Sequence, residues 1–180
     1  MTRVGIINTF IDYHNTLGDN IPQSVYLLIA LFTCVGLIFI LLKKKNGWML
    51  FAKMLLVEYV ALLYCSTVIF RTYNPEQTHN FTPFWSYVEI YNGDYTVQLP
   101  EKVMNLVVFL PVGLLLGLGT RTIKWWQVLL AGCLISVSIE TMQFFLKRGF
   151  AEFDDVFHNT IGCVVGYGVF RLFLKIFNLV

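Results

Sequence analysis

Charged residues are scarce in this chain of 180 residues. Only 13% of the residues are charged and 57% are hydrophobic, whereas about one quarter of an ordinary soluble domain is charged. This composition excludes a typical water-soluble domain and predicts an integral membrane protein. The formal net charge of +2 is too small to favour nucleic acid as a partner.

Cysteine is also sparse, and its spacing argues against redox or zinc chemistry. The four cysteines fall in four different apolar segments, and no two are separated by two residues. This spacing gives neither a disulfide framework nor a zinc-binding pair. We therefore expect Cys34, Cys65, Cys133 and Cys163 to pack as small buried side chains.

The first 22 residues lack the pattern of a cleavable secretion signal. Asp12 and Asp19 interrupt the segment, and no long apolar stretch ends in a small-residue cleavage site. Val4, Ile7 and Ile11 fall near one helical face, which predicts an interfacial amphipathic helix over 1–22. The alternative is a loosely ordered tail before a transmembrane domain over 23–180.

Long apolar runs are what the chain does contain. A membrane-spanning helix needs about 20 predominantly apolar residues. Five runs approach or exceed that length: 24–42, 48–70, 103–119, 125–146 and 156–177. Each is apolar nearly all round, unlike a surface helix of a soluble domain. The predicted fold class is an all-α, multi-pass bundle of about five transmembrane helices in the cell membrane.

Lysine and arginine predict the orientation of this bundle, because cytoplasmic loops carry an excess of both. Eight cations fall at the ends of runs that share one side of the membrane: Lys43, Lys44, Lys45, Lys53, Arg121, Lys124, Arg171 and Lys175. Placing them in the cytoplasm puts the N-terminus outside and the C-terminus inside. The hydrophilic segment 71–102 is then an extracytoplasmic loop.

Acids within and beside the apolar runs are the strongest functional signal. Glu140 interrupts the fourth run, and Asp154 and Asp155 precede the fifth. A charge at the bilayer centre costs about 2.5–3.5 kcal/mol on insertion scales, and such residues mark functional sites by default. Glu58 lies near the middle of the second run, where a structural and a functional role are both open.

Helical spacing brings several polar residues to one end of the bundle. Glu140 and Gln143 share a helical face, as do Asp155 and Asn159. Asn105 lies at the start of the third run. With the orientation above, polar side chains from three helices converge at the outer leaflet.

Two further features bear on that site. Arg71 ends the second run, where it could bind a phosphate, pair with an acid or simply anchor a helix end. Glycines four residues apart occur in the third run, Gly113 and Gly117, and in the fifth, Gly162 and Gly166. This spacing permits close helix packing.

Four motifs in order resemble the VanZ-like family of membrane proteins. Residues 80–84 read NFTPF, similar to the family's Asn-Leu-Ile-Pro-Phe loop, and 105–113 read NLVVFLPVG, similar to its Asn-x-x-x-Phe-x-Pro-x-Gly helix. Residues 138–143 match Ser-x-Glu-x-x-Gln. Arg148 and then 154–162 resemble the Arg, Asp-Asp-x-x-x-Asn-Thr-x-Gly signature. His158 departs from this pattern, because that position is usually aliphatic.

The resemblance implies an envelope role, since the family is named after a protein associated with teicoplanin resistance. It also implies kinship with membrane enzymes that remodel lipid head groups or lipid-linked envelope precursors. The catalytic candidates are then Glu140, Asp155, Asp154 and Asn159, and the substrate-binding candidates are Arg71, Asn80, Asn105, Gln143 and Arg148. Glu140 and Asp155 would form an acid/base pair or hold a divalent cation such as Mg²⁺ or Ca²⁺.

Two alternatives to an enzyme remain open. The same polar pocket could bind a membrane lipid or a lipoglycopeptide antibiotic without chemistry. The polar residues could instead satisfy one another, and breaking such a buried pair would cost about 3–5 kcal/mol of stability. A secondary transporter is disfavoured because the chain is short and shows no inverted repeat.

Overall fold

The computed structural model describes residues 21–42, 47–76, 79–93 and 95–178. The helices are α1 (Gln23–Leu42), α2 (Gly47–Tyr64), α3 (Trp85–Asn92), α4 (Tyr95–Gly119), α5 (Trp125–Leu146) and α6 (Phe153–Ile176). A π-helical turn, Cys65–Ile69, extends α2. Strands β1 (His79–Asn80) and β2 (Ala151–Glu152) have two residues each. The all-α fold class is confirmed, whereas the predicted helix over 1–22 falls mainly on residues outside the described part.

Among the residues that the structure describes, four helical segments are long and apolar enough to cross a membrane. They are Gly47–Ile69, Gln98–Gly119, Trp125–Leu146 and Phe153–Ile176. The first predicted span, 24–42, corresponds to α1, whose apolar stretch Gln23–Ile38 is shorter. These segments correspond to the five apolar runs of the sequence.

The centre of the bundle is the contact between α4 and α6, where glycines let the two backbones meet. A Cβ atom added to Gly113 would overlap the Cys163 carbonyl oxygen, and one added to Gly162 would overlap the Leu106 carbonyl oxygen. Gly166 lies equally close to the Leu110 carbonyl. These glycines therefore allow close helix approach, as small residues do in membrane bundles.

Helix α1 packs against α2 and supplies the partner of Glu58. The Thr33 hydroxyl lies 2.9 Å from Glu58 Oε2, within hydrogen-bond distance. The sequence did not identify a partner for Glu58, and this contact supplies one. Glu58 joins two helices and is absent from the cavity described below.

A small cap of irregular backbone covers one end of the bundle. Strand β1 pairs in parallel with β2, matching His79 to Ala151 and Asn80 to Glu152. Nearby, Tyr73 and Arg148 form an antiparallel bridge. The segment after α2 is thus attached to the segment between α5 and α6.

The structure differs from the sequence prediction within 71–102. Helix α4 begins at Tyr95, so the predicted loop contains the helix start. A short helix, α3, also lies within this segment, and Gly93, with a φ of 113°, ends it. The polar residues Gln98 and Lys102 looked like loop residues in the sequence, but both are buried in the protein.

Candidate functional site

A cavity of about 400 Å³ lies among α1, α2, α4, α5 and α6. One part of its wall is apolar and includes Tyr26, Tyr59, Leu62, Met104 and Val108. The remainder carries carboxyl, amide, hydroxyl and guanidinium groups. An amphipathic lining of this kind is typical of ligand sites, where a few polar groups orient a mostly apolar ligand.

Six of the nine residues predicted for the site line this cavity: Arg71, Asn105, Glu140, Gln143, Asp155 and Asn159. They come from α4, α5, α6 and the residues just after α2. Two of them are fixed by neighbours, because Asn159 Nδ2 donates to Ser136 Oγ at 2.8 Å and Gln143 Nε2 donates to the Thr67 carbonyl at 3.1 Å. The predicted convergence of three helices is therefore present in the structure.

Glu140 is the most enclosed of the cavity carboxyls that the sequence predicted. It is 7% exposed, and its Oε2 accepts a hydrogen bond from the Glu152 backbone N–H at 3.0 Å. One carboxyl oxygen is therefore held by the start of the α6 segment. Asp155, on the first turn of α6, lines the same cavity.

Three residues outside the predicted set lie beside these acids: Lys102, Glu152 and Glu101. Lys102 is 3% exposed, forms an ion pair with Glu152 and lies 2.7 Å from Asp155 Oδ1. Glu101 lines the cavity. The sequence contained a signal for Lys102, because this residue lies three residues before Asn105 and therefore on the same face of α4.

Glu152 lies just outside the last candidate span and carries a perturbed carboxyl. Burial raises the pKa of Glu152 to about 7, and the Asp155 charge acts in the same direction. The Lys102 charge and hydrogen bond lower it and only partly offset those effects. Glu152 therefore holds its proton to a higher pH than an ordinary glutamate does.

The carboxylate oxygens of Glu101, Glu152 and Asp155 all lie within 4.8 Å of one another. Oxygen ligands at this spacing suit a hard cation such as Mg²⁺ or Ca²⁺. The Lys102 ammonium already contacts two of the three carboxylates. This trio differs from the predicted pair of Glu140 and Asp155, with which it shares only Asp155.

Asp154 does not line the cavity, and its predicted catalytic role stays a prediction. Its side chain is completely buried and accepts hydrogen bonds from the Phe84 N–H at 2.6 Å and the Ser86 N–H at 3.0 Å. The Ser86 hydroxyl donates to it as well. Asp154 thus holds the start of α3 against α6.

Asn80 and Arg148 also make structural contacts outside the cavity. Asn80 Oδ1 accepts the Thr82 N–H at 3.0 Å, a local turn typical of asparagine. Arg148 Nη1 donates to the Ile69 carbonyl, which belongs to the π-helical turn. The substrate-binding roles predicted for both residues stay predictions.

Arg71 reaches the cavity because a glycine leaves room for it. Gly149 has a φ of 88°, and a Cβ atom added there would lie 2.8 Å from Arg71 Nη1. A side chain at 149 would therefore be strained by its backbone and would crowd the guanidinium. Gly149 thus leaves room for the Arg71 guanidinium and forms part of the turn after α5.

Comparison with known proteins agrees with this architecture. Residues 56–174 match the family described as VanZ/LLP1. Protein VanZ of Enterococcus faecium is 27% identical over 103 residues, which cover 57% of this chain and 58% of that protein. The chain therefore matches less than two thirds of the relative's length, and no solved structure matches it. With the family match covering most of the chain and four candidate spans, this membrane protein belongs to the VanZ/LLP1 family.

Proposed function

We propose that this protein acts in the cell envelope in a role associated with glycopeptide, specifically teicoplanin, tolerance. In this proposal the cavity binds the head group of a membrane lipid or lipid-linked precursor at the outer leaflet and modifies it. The supporting observation is the lining, which places carboxyl and guanidinium groups beside a long apolar wall within one cavity.

The apolar wall suits a hydrocarbon chain. Leu62, Met104 and Val108 contribute aliphatic or thioether side chains. Tyr59 presents its ring, because its hydroxyl donates to the Val108 carbonyl at 2.8 Å and is thus satisfied within the protein. Burying a methylene group in such a wall is worth about 0.8 kcal/mol.

The polar end suits a head group that carries phosphate. A guanidinium matches phosphate with two parallel hydrogen bonds, and Arg71 lines this end. Within the described part of the chain, the Asn105 Nδ2 is buried without a hydrogen-bond partner. A ligand oxygen in the cavity would satisfy this donor.

Glu140 and Asp155 are the proposed acid and base. Both line the cavity on adjacent helices, and proton transfer by a positioned carboxyl contributes about 10²–10⁴-fold to rates. In Glu140→Gln, the amide keeps the size of the side chain and an acceptor oxygen for the Glu152 N–H. It cannot transfer a proton.

The test is mass spectrometry of envelope lipids and lipid-linked precursors from cells that make wild type or Glu140→Gln at matched membrane levels. We expect a species that changes with wild type and not with Glu140→Gln. The matched control is Glu76→Gln, an exposed residue of the cap, which should behave as wild type. A lipid change that persists in Glu140→Gln would remove Glu140 from the mechanism.

Identical lipid profiles in all strains would contradict catalysis. Binding of radiolabelled lipid or teicoplanin to the purified protein would then identify a binder without chemistry. Thermal melting of each variant in detergent separates both results from a loss of folding.

A further inference from the structure

The Lys102 side chain is buried, although lysine is almost never fully buried unless it is paired. It is 3% exposed and contacts carboxylates of both Glu152 and Asp155. Lys102 belongs to α4, Glu152 to β2 and Asp155 to α6. One buried ammonium therefore joins three elements beside the cavity.

The contacts continue from Glu152 to Glu140. The Glu152 backbone N–H donates to Glu140 Oε2 at 3.0 Å. The Trp85 indole Nε1 donates to Glu152 Oε2 at 3.2 Å, the same oxygen that Lys102 contacts. Glu152 is thus held at its backbone and its side chain, and a shift of that side chain would disturb the donor that holds Glu140.

We propose that Lys102 is the positioning residue of the cavity: its ammonium orients Asp155 and Glu152, and through the Glu152 backbone it orients Glu140. Lys102 does not line the cavity, so it acts through these acids and does not contact the substrate. The proposal rests on the proposed function, because it assigns Lys102 a part in the same site.

Protonation of Glu152 provides a direct measure of this role. The titratable groups facing Glu152 are Lys102 and Glu101 on α4, Asp155 on α6 and Glu140 on α5. Lys102 is the cation among them, and it lowers the pKa of Glu152. Without Lys102, acids would face one another, and the pKa of Glu152 would rise further above its usual range.

Infrared spectroscopy of the purified protein in detergent, titrated from about pH 5 to about pH 9 around the neutral range, follows the band of protonated carboxyls. Glu152→Gln identifies the part of the band that belongs to Glu152. In Lys102→Met we expect its midpoint to rise by at least about one pH unit, a tenfold change in proton affinity. Lys102→Arg keeps the charge and should titrate near wild type.

Lys53→Met is the matched control, because Lys53 is an exposed lysine on α2 and should leave the midpoint unchanged. An unchanged midpoint in folded Lys102→Met would overturn the proposal. If that variant does not fold, the neutral Lys102→Gln, which retains a hydrogen-bond donor, must show the same upward shift. A lysine that only supports packing would leave the midpoint of every folded neutral variant in place.

The lipid profile separates this proposal from the function on which it rests. We expect the wild-type lipid change to be largely lost in Lys102→Met and to return in Lys102→Arg. A shifted midpoint in a protein that changes no lipid would contradict the proposed function alone. Loss of the lipid change with an unshifted midpoint would contradict the Lys102 proposal alone.

Discussion

Asp154 shows how a buried carboxylate can organise the backbone next to a site. Its oxygens accept two backbone N–H groups and one hydroxyl from the start of α3. One of those N–H groups belongs to Phe84, which adopts a left-handed conformation with a φ of 60°. Such a conformation costs about 1–3 kcal/mol and persists where surrounding contacts fix it.

Asp154→Asn should therefore destabilise the protein by about 1–3 kcal/mol, the typical cost of a buried group left without its partner. In either orientation, the amide nitrogen that replaces one oxygen would face a backbone N–H, of Phe84 or Ser86, and could not accept it. The expected result is a lower melting temperature in detergent. Ser86→Ala removes one of the three hydrogen bonds and should give a smaller drop. A melting temperature of Asp154→Asn equal to that of the wild type would contradict this stabilising role of Asp154.

The sequence could place Asp154 and Asp155 at the start of a helix but could not tell which of them faces the cavity. Neighbouring helical residues point about 100° apart, so one faces α3 while the other faces the site. Asn105, Glu140 and Asn159 were predictable because their spacing and apolar surroundings fixed their faces. Glu152 was not, since its burial depends on Lys102, which lies 50 residues earlier.

Helices α4 and α6 depend on glycine for their closest contact. Gly113 faces the Cys163 backbone, whereas a Cβ atom added to Gly168 would meet nothing within 4 Å. These two glycines form a natural pair for comparison, because both are helical and only Gly113 lies in the interface.

Gly113→Ala should force α4 and α6 apart and destabilise the protein by about 1–3 kcal/mol, the usual cost of overpacking. Gly168→Ala should leave stability unchanged or raise it, because alanine favours helix by up to about 1 kcal/mol over glycine. Melting curves of both variants in the same detergent provide the comparison. Equal melting temperatures would show that the contact at Gly113 adapts without cost.

Hydropathy located the long helices but not all of their ends. Helix α5 covers the predicted run 125–146, because this run is apolar along nearly its whole length. Helix α4 begins eight residues before its predicted run, at Tyr95. Gln98 and Lys102 lowered the hydropathy there, and the burial of Lys102 depends on its ion pairs with the distant Glu152 and Asp155. The sequence did not predict the short α3, because its start is held by hydrogen bonds to Asp154, a residue distant in the chain.

The orientation of the whole molecule in the membrane remains a prediction from its charges. Asn92, at the end of α3, should be outside, and Arg121, between α4 and α5, should be cytoplasmic. Both residues are exposed in the structure. Asn92→Cys should react with a membrane-impermeant thiol reagent in intact cells. Arg121→Cys should react only after permeabilisation, with wild type measuring the background of the native cysteines. The opposite pattern would reverse the assigned orientation.

The pairing of β1 with β2 has a consequence for how the protein is made. Strand β1 lies before α4, whereas β2 and Arg148 follow α5. During synthesis, β1 can pair with β2 only after α3, α4 and α5 have been made. Glu140 likewise gains the Glu152 N–H only after α5 is complete. A ribosome that stalled within α5 would thus leave an inserted chain without a closed cap, a form that membrane proteases could distinguish from the finished protein.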